Sequence, residues 1–361
     1  MPQIKIATFN TEWMILLFGG QWNKWQSPNM PKKFAGGRVG YNPNAPAITD
    51  TTALARRLAY VIREMNAQII GLQEAPPLKA QLEVFVKRFL DDEYVVYHSN
   101  SDWQSISSLV HRSVADKVGA WTPALPGMGD MWKKIPYYPW GAIAADQRDL
   151  HTMKRKPLML TFTPGFGKSL HLMVVHTKSK ISKLTAAKWT RRDPKAVAEA
   201  LDARMTLSAE VMRIRLFLDK LLDSSAAPLP VMVMGDMNDG PYAETLENEF
   251  MIHNILDELC GTMLYPDYHF RHAMQPATLR TASSTRFEDA LNQGNIIEEL
   301  IDHMVVSPSI WQGTGHFRIV PNSCQVESAI WQAACADQGP DDKREYRPSD
   351  HKPVSVTVEW D

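Results

Sequence analysis

Six polar clusters constrain this chain more than any other feature: TFNTE, LQE, VVHTKSK, GDMND, LIDHM and SDHKP. Each places Asn, Asp, Glu or His at or just past the end of a strand-like apolar run. Strand ends are where an α/β fold assembles its active site. The clusters run from Asn10 to His351. If they converge, both chain ends belong to one unit, although the length alone favours about two domains. The expectation is therefore a single domain over 1–361, carrying irregular insertions near 14–50 and 121–141.

Composition narrows the classes. The chain is 44% hydrophobic and 22% charged, as in an ordinary globular protein. Its 39 basic and 40 acidic residues nearly cancel, so nucleic-acid binding would need a local patch rather than a global field. No apolar run approaches the ~18 residues of a membrane span, so none is expected. The opening MPQIKIATFN lacks a basic segment followed by an apolar one, and no secretory leader is read there. Three cysteines, Cys260, Cys324 and Cys335, show no CxxC spacing. A disulfide framework is not expected, and a reducing cytoplasmic location is. Absence of a GxxxxGK[ST] loop argues against an ATPase, and absence of GxSxG against a serine hydrolase. No HxxxH or cysteine cluster suggests zinc.

Apolar runs at QIKIATFN, AQIIGLQE, SLHLMVVH, PVMVMGD and VSVTVEW read as strands. Leu54, Leu58, Val61, Ile62 and Met65 recur at helical spacing after Thr49 and Asp50, either of which can cap that helix. A second helix is expected near Leu78 to Leu90 and a long one over roughly 195–223. The stretch 14–50 is rich in Gly, Pro, Asn and Trp, too long for an idle loop and read as functional or substrate-facing. The stretch 121–141 carries Trp121, Trp132, Tyr137, Tyr138 and Trp140. These aromatics can stack on bases, but ordinary packing explains them as well.

The clusters supply particular chemistry. In GDMND, Asp236 can act as general base on water, and Asn238 can donate to an oxyanion or orient that base; the plainer alternative is a capped turn. In SDHKP, His351 paired with Asp302 of LIDHM would favour imidazolium beside developing phosphorane charge. His303, next to Asp302, would point away and is read as structural. Glu74, ending LQE, suits Mg²⁺, which takes oxygen ligands. Asn10 and Glu12 share a side if their strand continues; Asn10 can donate to phosphate and Glu12 can help hold metal. His176, Lys178 and Lys180 have the same i, i+2, i+4 relation, which would make one strand face a phosphate grip. Arg155 is a further phosphate contact. A basic run follows through Lys183, Lys188, Arg191 and Arg192. Solvated surface charge is the alternative for each lone basic or acidic residue.

Taken in this order, the six motifs resemble the endonuclease/exonuclease/phosphatase superfamily, which has the deoxyribonuclease-I-like fold, and most closely its bacterial nuclease-like members. The resemblance spans essentially the whole chain. It implies an α/β fold: a four-layer α/β/β/α sandwich of two packed mixed β-sheets flanked by helices. It implies hydrolysis of a phosphoester by water with Mg²⁺ or Mn²⁺. Carried over by motif, Glu74 would be the principal metal ligand with Asp350 near the metal. Asp236 would align or deprotonate the water, and Asn10 and Asn238 would hold phosphate. His176 would contact phosphate or aid the leaving group. His351, supported by Asp302, would stabilise the pentacovalent state. The insertions match no family motif.

The expected function is a divalent-metal-dependent phosphodiester hydrolase, a nuclease with DNA or RNA as substrate. The alternatives are a phosphatase or phosphodiesterase acting on a small phosphoester, inositol phosphate or lipid headgroup, and a non-catalytic binding protein on the same scaffold. The oligomeric state is not readable from the sequence.

Overall fold

The computed structural model of the protein describes residues 1–100, 102–123, 125, 130–165, 167–180, 182, 184–225, 227–242, 244–336 and 343–361. Among the described residues, one sheet of seven strands and one of six dominate. In chain order their strands are β1 (Gln3–Asn10), β2 (Ile69–Ala75), β3 (Tyr94–His98), β4 (Ser105–His111), β5 (Val118–Ala120), β6 (Leu158–Gly165), β7 (Lys168–His176), β8 (Val231–Asp236), β9 (Arg271–His272), β10 (Asp302–Val306), β11 (Phe317–Ile319), β12 (Gln325–Val326) and β13 (Val354–Trp360). The first sheet has the order β11, β13, β1, β2, β4, β3, with β12 also paired to β13; the second has the order β9, β10, β8, β7, β6, β5.

Each sheet has one parallel pair at its centre. β1 runs parallel to β2, and β7 parallel to β8. The antiparallel neighbours β13 and β10 flank these pairs. The C-terminal ends of β1, β2, β7 and β8 therefore lie at the same edge of their sheets as the N-terminal ends of β10 and β13. Register places Asp236 opposite both His176 and Asp302, and Asn10 opposite Gln73. All six polar clusters of the sequence sit at these strand ends.

Side-chain alternation explains the layers. On β1, Ile4 and Ile6 face the second sheet, where they meet Leu172, Val174, Met232, Met234 and Met304. Ala7 and Phe9 turn the other way, toward helices α1 (Thr51–Met65) and α2 (Lys79–Phe89). On β8, Val231 and Val233 pack on helix α3 (Pro194–Asp223) through Leu207, Val211, Ile214 and Leu218. The result is α/β/β/α. Both faces of the central strands are dry, so they read as continuous apolar runs rather than alternating ones. Each large aliphatic side chain so buried contributes about 1.5–3 kcal/mol. Helix α1 begins at Asp50, whose carboxylate accepts from the N–H groups of Thr52 and Ala53 at 2.9 and 3.0 Å. Its Leu54, Leu58, Val61, Ile62 and Met65 are all buried.

The insertion 14–50 departs from expectation at its start. Met14–Phe18 form a 3₁₀ turn whose five side chains are all buried in the core beneath α1. Most of residues 21–29 and the hairpin of Gly37–Val39 and Asn42–Ala45 lie at the surface, although the Val39 and Ala45 side chains are buried. In the second insertion, Trp121 stacks on His171 at 4.2 Å and Trp132 packs on Phe217 at 5.4 Å, so packing accounts for both. Tyr138 and Trp140 remain exposed. Residues 124 and 126–129 of that stretch lie outside the described residues. No described helix is long and apolar enough to cross a membrane.

Candidate active site

Asn10, His176, Asp236 and Asp302 share the parity of the residues that fill the space between the sheets, so their side chains close one end of that space. Asn10 on the first sheet donates through Nδ2 to Asp236 Oδ2 on the second at 2.8 Å. His176 Nε2 lies 3.4 Å from the same oxygen and His351 Nε2 3.9 Å. His351 Nδ1 meets Asp302 Oδ2 at 2.7 Å. The Asn238 N–H donates to Asp236 Oδ1 at 2.8 Å, so both oxygens of Asp236 are oriented. Gly235 is required for this approach. Its φ is +148°, and a Cβ there would lie 1.9 Å from the Val175 carbonyl oxygen on β7.

Glu74 reaches the group by a break in its strand. In a regular β2 it would share the parity of Ile70 and Leu72, which face α1 and α2. A register shift between Leu72 and Ala75 and a left-handed φ of 55° at Glu74 redirect it. Such backbone costs about 1–3 kcal/mol and persists where the surroundings enforce it. The carboxylate then accepts from the Trp13 N–H at 2.7 Å and lies 3.5 Å from Asn10 Nδ2.

The electrostatics differ sharply among these groups. Burial raises the Glu74 carboxyl to about 7, and the charge of Asp350 adds to that. Burial likewise raises Asp236; Asp302 pushes the same way, while His351 and the two donors from Asn238 and Asn10 oppose it. Burial drives His176 well below its ordinary value, helped by the positive charges of Arg155 and His351. Burial also works against charge on His351, but Asp302 and Asp236 outweigh it and hold the imidazole well above its usual value. The site thus sets a neutral imidazole and an imidazolium on the same buried carboxylate.

The SDH segment is braced from behind. Ser349 Oγ donates to the Asn10 carbonyl at 2.7 Å, and the His351 N–H donates to Ser349 Oγ at 3.1 Å. Asp350, which as a strand neighbour need not have met His351, has Oδ1 3.9 Å from its Nε2. His303 faces away, with Nε2 donating to the Asp239 carbonyl at 2.8 Å and Nδ1 3.3 Å from His272 Nε2.

Three expected residues stand elsewhere. Strand β1 ends at Asn10, and Glu12 has a left-handed φ of 45°, so the i, i+2 relation fails. Glu12 instead accepts from Arg347 Nη2 at 2.9 Å and from the Asp350 N–H at 2.7 Å, and it is a brace rather than a free metal ligand. Strand β7 likewise ends at His176, so Lys178 and Lys180 do not extend its face. Lys180 points into a separate acidic cluster, 3.1 Å from Asp239, 2.8 Å from Glu244 and 3.3 Å from Glu299. That cluster also holds buried Arg204, 2.8 Å from Asp239 and paired with Glu247. Its three carboxylates are close enough for a metal, but the chain fills the place with its own ammonium. Lys178 is half-buried, its ammonium donating to the Ser179 carbonyl at 2.6 Å. Arg155 donates to the Thr177 carbonyl and to Gln104 Oε1, both at 2.7 Å. Farther along the basic run, Arg192 pairs with Glu249 at 2.9 Å and Lys183 lies outside the described residues.

Sequence reasoning missed Arg344 and Arg347. Arg344 is buried and donates to the carbonyls of Thr11 and Glu12, locking the turn after β1. No motif announces them; their nearness to SDHKP is the only signal.

No family model matches the chain, and no curated protein matches it. Similar solved structures include truncated TDP2 from Caenorhabditis elegans, at 13% identity, 99% of this chain and 97% of the other, and a TM-score of 0.48. An endonuclease/exonuclease/phosphatase from Bacteroides vulgatus has 12% identity, covers 100% of both chains and gives 0.49. The mannosyl-6-phosphatase Bt3783 of Bacteroides thetaiotaomicron VPI-5482 has 14% identity, covers 99% of this chain and 100% of the other, and gives 0.47. The fold rests on the chain's own sheets and strand ends. Two mixed sheets packed between helix layers, with the six polar clusters at one end, give this chain the α/β/β/α sandwich fold that its motifs imply.

Proposed function

We propose that the protein is a divalent-metal-dependent phosphodiester hydrolase acting on a nucleic-acid strand. The observation that carries this reading is Asp236, a buried carboxylate held between neutral His176 and the His351–Asp302 pair, with Asn10 bridging the sheets onto the same oxygen. Few structural needs explain two histidines and a carboxylate of raised pKa at one buried point, whereas general-base chemistry uses them directly.

The residues fit a hard cation. Glu74 and Asp350 face the same space, and the charge of Asp350 raises Glu74. Among the described residues neither forms an ion pair with Lys or Arg. Two carboxylates that destabilise each other's charge, with the His351 imidazolium 3.9 Å from Asp350 as their nearest paired cation, suit Mg²⁺ or Mn²⁺, which prefer carboxylate oxygens. Such an ion supplies Lewis-acid activation of the phosphoryl group. Asp236 holds the attacking water and takes its proton. Asn10 and Asn238 direct amide donors at the phosphate oxygens. The His351 imidazolium balances the charge that gathers on the pentacovalent phosphorus, and Asp302 keeps that proton in place. His176, whose Nε2 is 3.4 Å from the same Asp236 oxygen, contacts the phosphate or aids the leaving group.

The test is incubation with single- and double-stranded DNA and with RNA, in Mg²⁺, Mn²⁺ or EDTA. Metal-dependent cleavage is expected. Asp236→Asn and His351→Ala should each lower it by about 100-fold or more, the size of a lost general base or of a lost donor to the transition-state oxyanion. Full activity in both variants would overturn the site. Cleavage of small phosphoesters with none of any polymer would replace the nucleic-acid strand by a compact substrate at the same site.

A further inference from the structure

A row of cations borders the site without carboxylate partners. Lys154, Arg155 and Lys156 are consecutive, and only Lys156 is neutralised, by Asp130 at 2.8 Å. Among the described residues, Lys154, Arg155 and Lys178 make no ion pair. Arg155 is held in place by a chain of hydrogen bonds. Tyr41 of the surface hairpin donates to Gln104 Oε1, which also accepts from Arg155 Nη1 at 2.7 Å. Arg155 Nη2 donates to the Thr177 carbonyl, which Asn238 Nδ2 also reaches at 3.1 Å. The guanidinium and the Asn238 amide thus share one acceptor and are neighbours. Lys154 lies 5.2 Å above the Tyr41 ring. Burial, then the charges of Arg155 and Lys154, push the Lys178 ammonium below its ordinary value against the pull of Glu210 and, more weakly, Asp202, neither of which forms an ion pair with it. The oxygens of Glu210 are committed to the Lys178 N–H at 2.7 Å and to His151 at 2.6 Å.

Three mutually repelling cations without an ion-pair partner among the described residues, one half-buried and one braced by an uncharged Tyr–Gln relay, suit an anion from outside the chain. We propose that Lys154, Arg155 and Lys178 form a second phosphate subsite beside the scissile position, so that the preferred substrate carries a second phosphoryl group next to the one attacked. This rests on the phosphoester-hydrolase reading and specifies its substrate class. The shared chemistry is two neighbouring phosphates, whether successive links of a nucleic-acid strand or two groups on a small polyphosphorylated molecule. Tyr41 and Gln104 are positioning residues: Gln104 acts through Arg155, and Tyr41 through Arg155 and Lys154.

The measurement is a selectivity ratio: kcat/KM for a substrate with two phosphates over that for its one-phosphate counterpart, in Mg²⁺. One pair is a dinucleotide with and without a 5′-phosphate; the other is an inositol bisphosphate and its monophosphate. The wild type should favour the two-phosphate member. Lys154→Ala, an exposed change that leaves the core intact, should cut the ratio about tenfold, the size of one charge-assisted contact. Lys154→Glu should cut it further, and Gln104→Ala should lower the ratio through KM rather than kcat. Preference within the dinucleotide pair assigns the second phosphate to a strand, and within the inositol pair to a small molecule. A ratio near one in both pairs, or one unmoved by either Lys154 variant, overturns the subsite. A wild type that hydrolyses none of the four fails the catalytic reading instead. The subsite is then read by tripolyphosphate alone, which should raise the Tm of wild type more than that of Lys154→Glu. Equal shifts overturn it.

Discussion

At the scale of single residues, the site works by giving identical side chains different charges. His176 and His351 sit on the same oxygen of Asp236, yet only His351 has a second carboxylate, Asp302, at 2.7 Å. That contact, with the added pull of Asp236 and Asp350 on His351 and the push of Arg155 on His176, separates an imidazolium from a neutral ring. On the proposed mechanism the proton on His351 serves the transition state, so activity should fall as pH rises through its folded-state pKa, which lies well above the ordinary histidine value. Asp302→Asn keeps the shape but removes the charge. The basic limb of the kcat/KM profile should then move to lower pH, while the limb set by Asp236 on the acid side moves less. Profiles of wild type and variant measured from pH 5 to 10 would decide it. Superimposable basic limbs would mean that His351 does not act as a cation.

At the scale of elements, strands were easier to read than the turns beyond their ends. Strands β1, β2, β7 and β8 were legible because burial on both faces demands unbroken apolar runs, and their last polar residues were legible because a polar group is tolerated only where the layers open. The same reasoning fails one residue past a strand end. Glu12, Lys178 and Lys180 were placed by extending the two-residue period beyond Asn10 and His176, where the backbone no longer has that period. Glu74 was placed at the site by motif, although strict alternation would have turned it toward the helices; the bulge that rescues it leaves no mark in the sequence. Lys180 gives a test of this correction. It pairs with Asp239, Glu244 and Glu299, of which Arg204 also holds the first two, so Lys180→Met should destabilise the fold by about 3 kcal/mol, the low end for breaking a buried ion pair. Chemical denaturation would read the loss directly. A variant of full stability with weakened substrate affinity would restore the phosphate-grip reading.

At the scale of the whole molecule, the site joins the first strand of the chain to the last, because β1 and β13 pair side by side and both sheets end on the same cluster. A cation held there therefore acts on the stability of the entire sandwich. Glu74 carries the sign of that coupling. Its carboxyl sits at about 7 in the folded chain against 4.5 in its ordinary state, so burial favours the protonated form. Without metal, its stabilising contribution is complete below about pH 4.5 and is lost as pH rises through about 7. The buried neutral histidines His176, His272 and His303 have the opposite sign, because acid must charge them. The raw pH dependence of the Tm mixes the two, and Glu74→Gln isolates the first. In EDTA the variant should gain on wild type between pH 5.5 and pH 8. A divalent cation needs the ionised carboxylate, so Mg²⁺ at about 100 times its Kd should stabilise wild type at pH 8 by about 2.7 kcal/mol, and less at pH 5.5. The variant should respond weakly at both. An equal Mg²⁺ response in Glu74→Gln would move the metal away from this carboxylate, and with it the link between ion binding and the closure of the two sheets.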